Sequence, residues 1–473
     1  MEIAPALAPA LDAGLLSAAL QGRVHMVGIG GAGMSAIARV LKEAGGRVSG
    51  SDLRDSSVLE SLRALQVPVE IGHHPVHVAG AALVVASTAV PADNVELLAA
   101  RDARIPILHR GEALARLVED HRLIGVAGTH GKTTTSGMIA TVLEVAGWNP
   151  TWLIGADLIG GGPGGKLGGD LAVVEADEAY GSFLWLHPHL AVITNIEEDH
   201  LDHYGSMEAL EAAFVRFLSQ TKGPRVLCLD DERVASLRSL VSGDLTYGFA
   251  EEAMVRAESM EGSASGSRFE LALQGRRAGR IELRIAGRHN VQNALGAVAA
   301  CTALGLAPEA IAEGLGAYAG ARRRFEYRGK VAGADVVDDY AHHPTEIAAT
   351  IEAARWGPWT RVVAVFQPHL YSRTQALWRE FGAALAQADV VVITDVYPAR
   401  EAPVPGVSGM LIVRAVCEAA PGRRVAYLPR LEEATRFVRS QLEPGDLLLT
   451  LGAGDITTLT DALMRMEAKE NGG

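Results

Sequence analysis

The sequence predicts an α/β fold divided into three domains, and three observations carry that expectation. The chain has 473 residues, against about 150 for an ordinary domain. Short apolar runs alternate along its length with stretches of helical spacing, the pattern of strand, crossover helix and parallel strand. Those runs end repeatedly in glycine or in charged residues, which is how a parallel sheet presents chemistry at its carboxyl edge. The 52 glycines suit a chain with many tight strand-to-helix turns. No internal repeat of about 20 to 50 residues accounts for the alternation.

Composition excludes several classes of function. A net charge of -13 argues against nucleic-acid binding, which needs a basic surface to displace counterions. No uncharged apolar stretch approaches the roughly 18 residues of a membrane span, so membrane insertion is not expected. The Ala/Leu-rich start, MEIAPALAPALDAGLLSAAL, has no basic start and reads as a tail or capping helix rather than a signal peptide. Cys228, Cys301 and Cys417 lie far apart without C-x-x-C spacing, which fits a reducing cytoplasm and no structural zinc.

In chain order, Arg23 to Val27 is the first expected strand and Met34 to Ala44 the first helix. Between them Gly28, Gly30 and Gly33, with Gly31 inside the turn, match G-x-G-x-x-G, and Asp52 ends the next strand about 20 residues on, where that fingerprint places an acidic ribose ligand. This spacing points to a nucleotide or dinucleotide, and a NAD(P)-dependent oxidoreductase is one reading of it. Further strands run from Leu83 into Ser87 and from Ile105 to Leu108, just before Arg110. The polar Asp120-His121 pair marks the first boundary, making residues 1–120 the first domain.

The centre of the chain is Gly125-Val-Ala-Gly128-Thr129-His130-Gly131-Lys132-Thr133-Thr134-Thr135. A strand from Leu123 to Ala127 precedes it and helical spacing from Ser136 to Val145 follows it, so glycines and hydroxyls sit at a strand-to-helix turn. Backbone amides at a helix start, approached closely through glycine, bind phosphate. Lys132 adds a cation for β- and γ-phosphates, and Thr133 is placed to hold Mg²⁺. Val126 stands where the standard phosphate-loop pattern has its first glycine. Two later strands, Leu171 to Val174 and Leu190 to Ile196, run into Glu175-Ala-Asp-Glu178 and Glu197-Glu-Asp-His200. Neighbouring strand ends face one crevice, so Glu175 and His200 are expected to converge on a metal held by Thr133. His200 as a capping residue, and the acidic cluster as a solvated strand end, stay open on spacing alone.

Residues 251–280 read as an exposed antiparallel ribbon. Asn290 and Asn293 share a face of the helix that follows, where their amides either read an adenine edge or cap the helix. Arg322, Arg323 and Arg324 open a third domain, 322–473, with 121–321 as the second. An arginine at such a junction can supply charge to a transferring phosphoryl group. The strands from Val336 to Asp339, Arg361 to Phe366, Val390 to Thr394 and Leu447 to Thr450 repeat the strand-to-polar-turn arrangement.

With these residues in view, the chain from about Val24 to Thr458 resembles the Mur ligases of bacterial cell-wall synthesis. VGIGGAGMS, GTHGKTTT, EADE, TNIEEDHLD, GRHNVQNA, RRFE, DDYAHHPTE and LGAGDI occur in that family's order. The resemblance implies an N-terminal Rossmann-like domain for a UDP-sugar, a central P-loop ATPase-type domain and a C-terminal Rossmann-like domain for an amino acid. It also implies ATP- and Mg²⁺-dependent joining of L-alanine to the lactyl carboxylate of UDP-N-acetylmuramate through an acyl phosphate, by a cytoplasmic monomer or homodimer. Attachment of a recycled muropeptide to the same sugar is the alternative within the family. Residue by residue, the resemblance assigns Gly28, Gly30, Gly31, Gly33, Asp52, Ser87 and Arg110 to the UDP-sugar. Gly128, Thr129, His130, Gly131, Lys132, Thr133, Thr134, Asn290, Asn293, Arg324 and Asp339 go to ATP, and Thr133, Glu175 and His200 to the metal. Tyr340, His342 and Arg373 go to the amino acid, and Lys132, His200 and Arg324 are the catalytic set. Related ligases carry a carbamylated lysine after the D-H pair; Arg216 stands in the comparable region here, and the nearest lysine is Lys222. Some relatives have arginine where this chain has Leu370, which leaves Arg373 as the expected carboxylate contact.

Overall fold

The computed structural model describes residues 14–240 and 244–471. The first thirteen residues of the Ala/Leu-rich start lie outside them; Leu15–Gln21 is a helix that buries Leu15 and Ala19. The chain divides into two compact units. One comprises Met1–Glu258, Glu270–Ile281 and Gln292–Tyr318, and the other comprises Ser259–Phe269, Glu282–Val291 and Ala319–Gly473.

The first unit begins with β1 (Arg23–Val27), β2 (Arg47–Asp52), β3 (Val69–Ile71), β4 (Ala81–Ala86) and β5 (Ile107–His109), which form one sheet in the order β3-β2-β1-β4-β5. Every pairing in it is parallel. Chain order reverses between β1 and β4, and at such a point the strand ends leave a crevice for a ligand. Apolar runs such as Ala-Ala-Leu-Val-Val-Ala in β4 are buried along nearly their whole length, as strands covered on both faces must be.

A ten-stranded sheet follows. Its members are β6 (Arg122–Ala127), β7 (Thr151–Leu153), β8 (Gly165–Lys166), β9 (Leu171–Glu175), β10 (Leu190–Ile193), β11 (Arg225–Cys228), β12 (Asp244–Gly248), β13 (Val255–Ser263), β14 (Gly266–Leu273) and β15 (Arg276–Leu283). The order is β15-β14-β13-β12-β11-β10-β6-β9-β7-β8. β6 therefore lies between β10 and β9, parallel to both, so the loop after β6 is flanked by the ends of the two strands whose charged termini the sequence singles out. The expected ribbon is present as β13, β14 and β15, joined by two-residue turns. Within this unit the two sheets' bodies meet closely: the Leu167 amide donates to Glu43 Oε2 at 2.7 Å, and a Cβ on Gly165 would lie 2.4 Å from the Ala36 carbonyl oxygen.

The second unit carries β16 (Glu326–Val331), β17 (Ala334–Asp339), β18 (Arg361–Phe366), β19 (Val390–Ile393), β20 (Arg424–Tyr427) and β21 (Asp446–Leu451) in the order β16-β17-β21-β18-β19-β20. Among the described residues of this sheet only the β16–β17 hairpin is antiparallel. Helices cover both faces: Ile347, Ile351, Phe381 and Ile412 pack on one, and Val438, Leu459 and Leu463 on the other. The ends of β17, β21 and β18 lie side by side, which places Asp339, Gly452 and Gln367 together. Gln367 Nε2 donates to Asp455 at 2.7 Å. Among the described residues no helix is long and apolar enough to cross a membrane.

Candidate active site

The phosphate loop takes its shape from two glycines and the end of β10. Gly128 has φ 133°, and a Cβ there would lie 2.1 Å from Thr194 Oγ1, so only glycine allows this approach. Thr194 Oγ1 donates to the His130 carbonyl at 2.6 Å, and the His130 amide donates to Asn195 Oδ1 at 2.8 Å. The Thr129 amide is taken by the Asn195 carbonyl at 3.0 Å, and Thr129 Oγ1 accepts the Glu197 amide at 2.8 Å. Gly131 turns left-handed at φ 80° and starts the helix Lys132–Val145. That helix begins four residues before the sequence-based expectation. The β-branched run Thr133-Thr134-Thr135 disguises its first turn, in which the three threonines are buried and tertiary packing overrides their weak propensity. Lys132 and Thr133 are thus its first two residues, where amides and dipole favour an anion. Asn293 packs against the loop: a Cβ on Gly131 would be 2.3 Å from its Oδ1.

Lys132 Nζ donates to the carbonyls of Gly128 at 2.6 Å and Thr129 at 3.2 Å, and to both Glu178 oxygens at 3.0 and 2.8 Å. Burial works against its charge, but Glu178, Asp177 and Glu175 outweigh that and hold the ammonium above the ordinary lysine range. Thr133 Oγ1 donates to Glu175 Oε2 at 2.9 Å, and the Gly155 amide meets the same oxygen at 2.7 Å. A hydroxyl and a carboxylate side by side at the mouth of a phosphate loop are hard oxygen donors of the kind Mg²⁺ takes, so this pair fits that ion. His200 adopts left-handed backbone, φ 56°, at the start of the short helix Leu201–Tyr204. Its ring nitrogen groups with Asp177 and Glu178, with ligand atoms within 4.8 Å of one another. The structure therefore sets Thr133 with Glu175, and His200 with Asp177 and Glu178, around Lys132. Asp177 and Glu178 carry weight that spacing alone does not assign to them, although both stand in the EADE run.

The Gly-rich turn after β1 hangs from the end of β2. The Gly28 and Ile29 amides donate to the Ser51 carbonyl at 2.8 and 3.1 Å, and the Gly30 amide donates to Asp52 Oδ2 at 2.9 Å. Asp52 thus braces the turn itself, beyond the ribose role its position suggests. Ser87, at the end of β4, closes on Gly28, whose Cβ would lie 3.0 Å from that of Ser87. Gly31 begins the next helix as its cap. Gly33 leaves room for Arg110, whose Nη1 would lie 2.7 Å from a Cβ there. Arg110 reaches on to Asp177 at 2.7 Å. Burial alone would raise the Asp177 carboxyl; Arg110, then Lys132, more than offset it and hold it below the usual carboxylate range. Arg110, packed beside the Gly-rich turn, is thereby ion-paired with the residue next to Glu178.

In the second unit, Arg324 lies over the Tyr340 ring at 5.2 Å and pairs with Glu346 at 3.5 Å. Asp339 accepts the Phe325 amide and the Ala341 amide, each at 2.7 Å. Tyr340 and His342 meet edge-on at 5.2 Å, and His342 meets His369 at 6.0 Å. Arg373 Nη1 lies 3.4 Å from His369 Nδ1, and His369 stacks on Tyr397 at 5.8 Å. Tyr340, His342 and Arg373 are thus brought into one cluster, with His369 at its centre. The signal for His369 was its place after β18, in the Gln-Pro-His turn; Tyr397 follows β19 in an irregular loop that offers no pattern. Leu370 holds φ 71° at the head of the helix Tyr371–Leu385, a strained conformation for a non-glycine residue. Asn290 Nδ2 donates to the Ala286 carbonyl at 2.6 Å, a local contact at the helix start.

A Gly-rich turn at a sheet switch point, with an arginine packed beside it that pairs with Asp177, and a phosphate loop with a lysine and an adjoining hydroxyl–carboxylate pair together define a nucleotide-dependent α/β enzyme. The chain belongs to the Mur ligase family: residues 23–122 match the Mur ligase family catalytic domain, 126–301 the Mur ligase middle domain and 323–454 the Mur ligase glutamate ligase domain. It is 47% identical over 460 residues, 95% of this chain and 97% of the relative, to UDP-N-acetylmuramate--L-alanine ligase of Kineococcus radiotolerans. It is 44% identical to the protein of that name from Desulforamulus reducens, covering 95% of this chain and all of the other. The crystal structure of UDP-N-acetylmuramate-alanine ligase from Thermotoga maritima superposes with TM-score 0.83 at 29% identity, over 95% of this chain and 100% of that one. A murein peptide ligase from Psychrobacter arcticus shares the fold, with TM-score 0.72 at 23% identity, 94% of this chain and 98% of the other. The Gly-rich fingerprint thus belongs to a ligase, and the oxidoreductase reading falls away.

Proposed function

We propose that this protein uses ATP to join L-alanine to the lactyl carboxylate of UDP-N-acetylmuramate. The observation that carries the reading is the continuity from the Gly-rich turn through Arg110 and Asp177 to Glu178 and Lys132. Such continuity suits an enzyme whose nucleotide sugar must present a carboxylate to the γ-phosphate of a second nucleotide. The high identity to ligases bearing that substrate in their names supports it over muropeptide recycling.

We assign the nucleotide sugar to residues 1–120, ATP to 121–321 and the amino acid to 322–473. The carboxylate oxygen attacks the γ-phosphorus and ADP leaves. The amine of L-alanine then attacks the carbonyl carbon of the acyl phosphate, loses a proton, and the C–O bond to phosphate breaks. Phosphoryl transfer asks chiefly for positioning and charge neutralisation. Lys132 supplies charge at the β- and γ-oxygens, exchanging its loop carbonyl partners for phosphate. The amides at the head of the helix Lys132–Val145 take further phosphate oxygens. Thr133 and Glu175 would hold Mg²⁺, with His200 as the third residue assigned to metal, and the ion when bound supplies Lewis-acid neutralisation of the transferring group. Arg324 is assigned to phosphate charge, Asp339 to the ribose, Asn290 and Asn293 to the adenine, and Tyr340, His342 and Arg373 to the amino acid, Arg373 taking its carboxylate. The substrates are water-soluble and the enzyme is assigned to the cytoplasm.

Phosphate release measured with each substrate omitted in turn tests this. Release is expected only when ATP, UDP-N-acetylmuramate and L-alanine are all present, and Lys132→Ala is expected to lower it by at least about a hundredfold. Release that ignores the amino acid, or a Lys132→Ala protein that keeps its rate, would overturn the assignment.

A further inference from the structure

Beneath the Gly-rich turn lies a buried carboxylate that the proposed reaction does not use. Glu96 belongs to the first turn of the helix Val95–Asp102 and is fully buried. Ser51 Oγ donates to its Oε2 at 2.6 Å. His73 Nδ1 lies 3.1 Å from the same oxygen, and His77 Nδ1 lies 2.5 Å from Oε1. The His74 amide donates to Oε1 at 3.3 Å, and His25 Nε2, buried without another partner, faces Oε2 at 3.7 Å. His25 is held in turn by Ser49, 2.9 Å from its Nδ1. Burial alone would raise the Glu96 carboxyl, yet the neighbouring His25, Ser51 and His77 outweigh it and hold it down to about 2.

The ion-pairing partners of this anion are histidines, so the group is a buried ionic cluster. A well-packed apolar residue at such a place is often as stable or more so, so stability alone does not explain a carboxylate here. Its partners point to what it does. Ser51, which it grips by the side chain, is the residue whose carbonyl receives the Gly28 and Ile29 amides. The next residue, Asp52, holds the Gly30 amide by its side chain and the Gly72 amide by its carbonyl, the latter at 2.7 Å. His73 adjoins Gly72 and lies 3.1 Å from Ser51 Oγ. The end of β2 thus bears a loop on each side, and Glu96 anchors it from below.

We propose that Glu96 is a positioning residue for the nucleotide sugar: gripping Ser51 and His73, it sets the strand end from which the Gly28–Gly30 turn is hung. The inference rests on the assignment of that turn to the UDP-sugar. It places Glu96 outside contact with any substrate, and it makes the effect of losing it specific to one of three ligands.

Steady-state phosphate release by the full-length protein tests this, with Glu96→Gln, Ser51→Ala and, as a check on the subsite itself, Asp52→Ala. Glu96→Gln keeps the shape and replaces an acceptor oxygen with an amide donor facing donors. It is expected to raise KM for UDP-N-acetylmuramate about tenfold, the loss of one charge-assisted hydrogen bond. KM for ATP, KM for L-alanine and saturating kcat are expected to stay within about twofold, the pattern of lost binding that is uniform along the reaction. Ser51→Ala is expected to move the same constant in the same direction. A Glu96→Gln protein that melts earlier but keeps its KM for the nucleotide sugar would make the group merely structural and overturn the proposal. So would a parallel shift of all three KM values and kcat. If Asp52→Ala raises that KM and Glu96→Gln does not, the inference alone fails; if neither moves it, the subsite assignment fails as well. Should Glu96→Gln not fold, Ser51→Ala carries the comparison, since it removes one donor and leaves the carboxylate in place.

Discussion

Asp339 is asked to do two things that its surroundings set against each other. Its two oxygens each take a backbone amide at 2.7 Å, fixing the turns at Phe325 and Ala341, and in the proposed function it also receives the ATP ribose. Burial pushes its carboxyl up to about 6, and Arg324 only partly offsets this. A ribose hydroxyl donates well to an ionised carboxylate and poorly to a protonated one. KM for ATP is therefore expected to rise as pH falls through about 6, and Asp339→Asn is expected to flatten that dependence, as initial rates between pH 5 and 8 would reveal. The linkage to stability has the opposite sense. Folded Asp339 keeps a proton to about 6 that the unfolded chain releases near 4, so across that window stability falls as pH rises. Melting curves of wild type and Asp339→Asn should diverge there. Parallel profiles for the two proteins would mean the carboxylate serves only the turns.

At the level of the element, the phosphate loop shows why glycine and hydroxyl content matters more than the exact pattern. Val126 lies inside β6 and is fully buried, so the first glycine of the standard pattern falls on a strand position here, and the close approach is delegated to Gly128. Gly128→Ala is expected to cost about 2 kcal/mol of stability, because it places a side chain at φ 133° against Thr194. It should also remove ATP-dependent turnover, because Thr194 and Asn195 set the loop's shape. Denaturant unfolding and phosphate release measure the two effects; full turnover in a protein destabilised by that amount would show that the loop's shape is not what binds phosphate. The same element shows how much was legible beforehand. Strands such as Arg23–Val27 and Arg361–Phe366 match their expected bounds, because buried parallel strands announce themselves as continuous apolar runs. The start of the helix at Lys132 was hidden, because a threonine triplet looks extended until its packing is known. The grouping of Thr133 with Glu175 follows from β6 lying next to β9. That His200 meets Asp177 and Glu178 depends on a left-handed backbone turn and on a strained 3-10 segment after EADE, where Tyr180 has φ 55°, and residue spacing encodes neither. The Glu96 cage is further from view still, since it joins positions from His25 to Glu96 that no single periodicity connects.

For the whole molecule, the proposed function has a thermodynamic consequence, since the Gly-rich turn with Arg110 and the loop with Lys132 both lie in the first unit. A ligand that binds only the folded state adds RT ln(1 + [L]/Kd), about 2.7 kcal/mol at a hundredfold excess over Kd, which for a unit of this size raises the melting temperature by roughly 5 °C. In the proposed function UDP-N-acetylmuramate is held at the Gly-rich turn and Arg110, and a non-hydrolysable ATP analogue with Mg²⁺ at Lys132 and Thr133. Each is expected to raise the melting temperature of the wild-type protein by itself. Lys132→Ala should lose the shift given by the ATP analogue and keep the one given by the nucleotide sugar, and Arg110→Ala should do the reverse. The Arg110–Asp177 pair, 2.7 Å long and one residue from the Glu178 partner of Lys132, adds a finer expectation: when both ligands are present, the wild-type shift should differ from the sum of the separate shifts, and Asp177→Asn should restore additivity. Calorimetry with single and paired ligands decides it. Additive shifts in the wild type would show that the two subsites bind independently, and that the ion pair between them serves the fold alone.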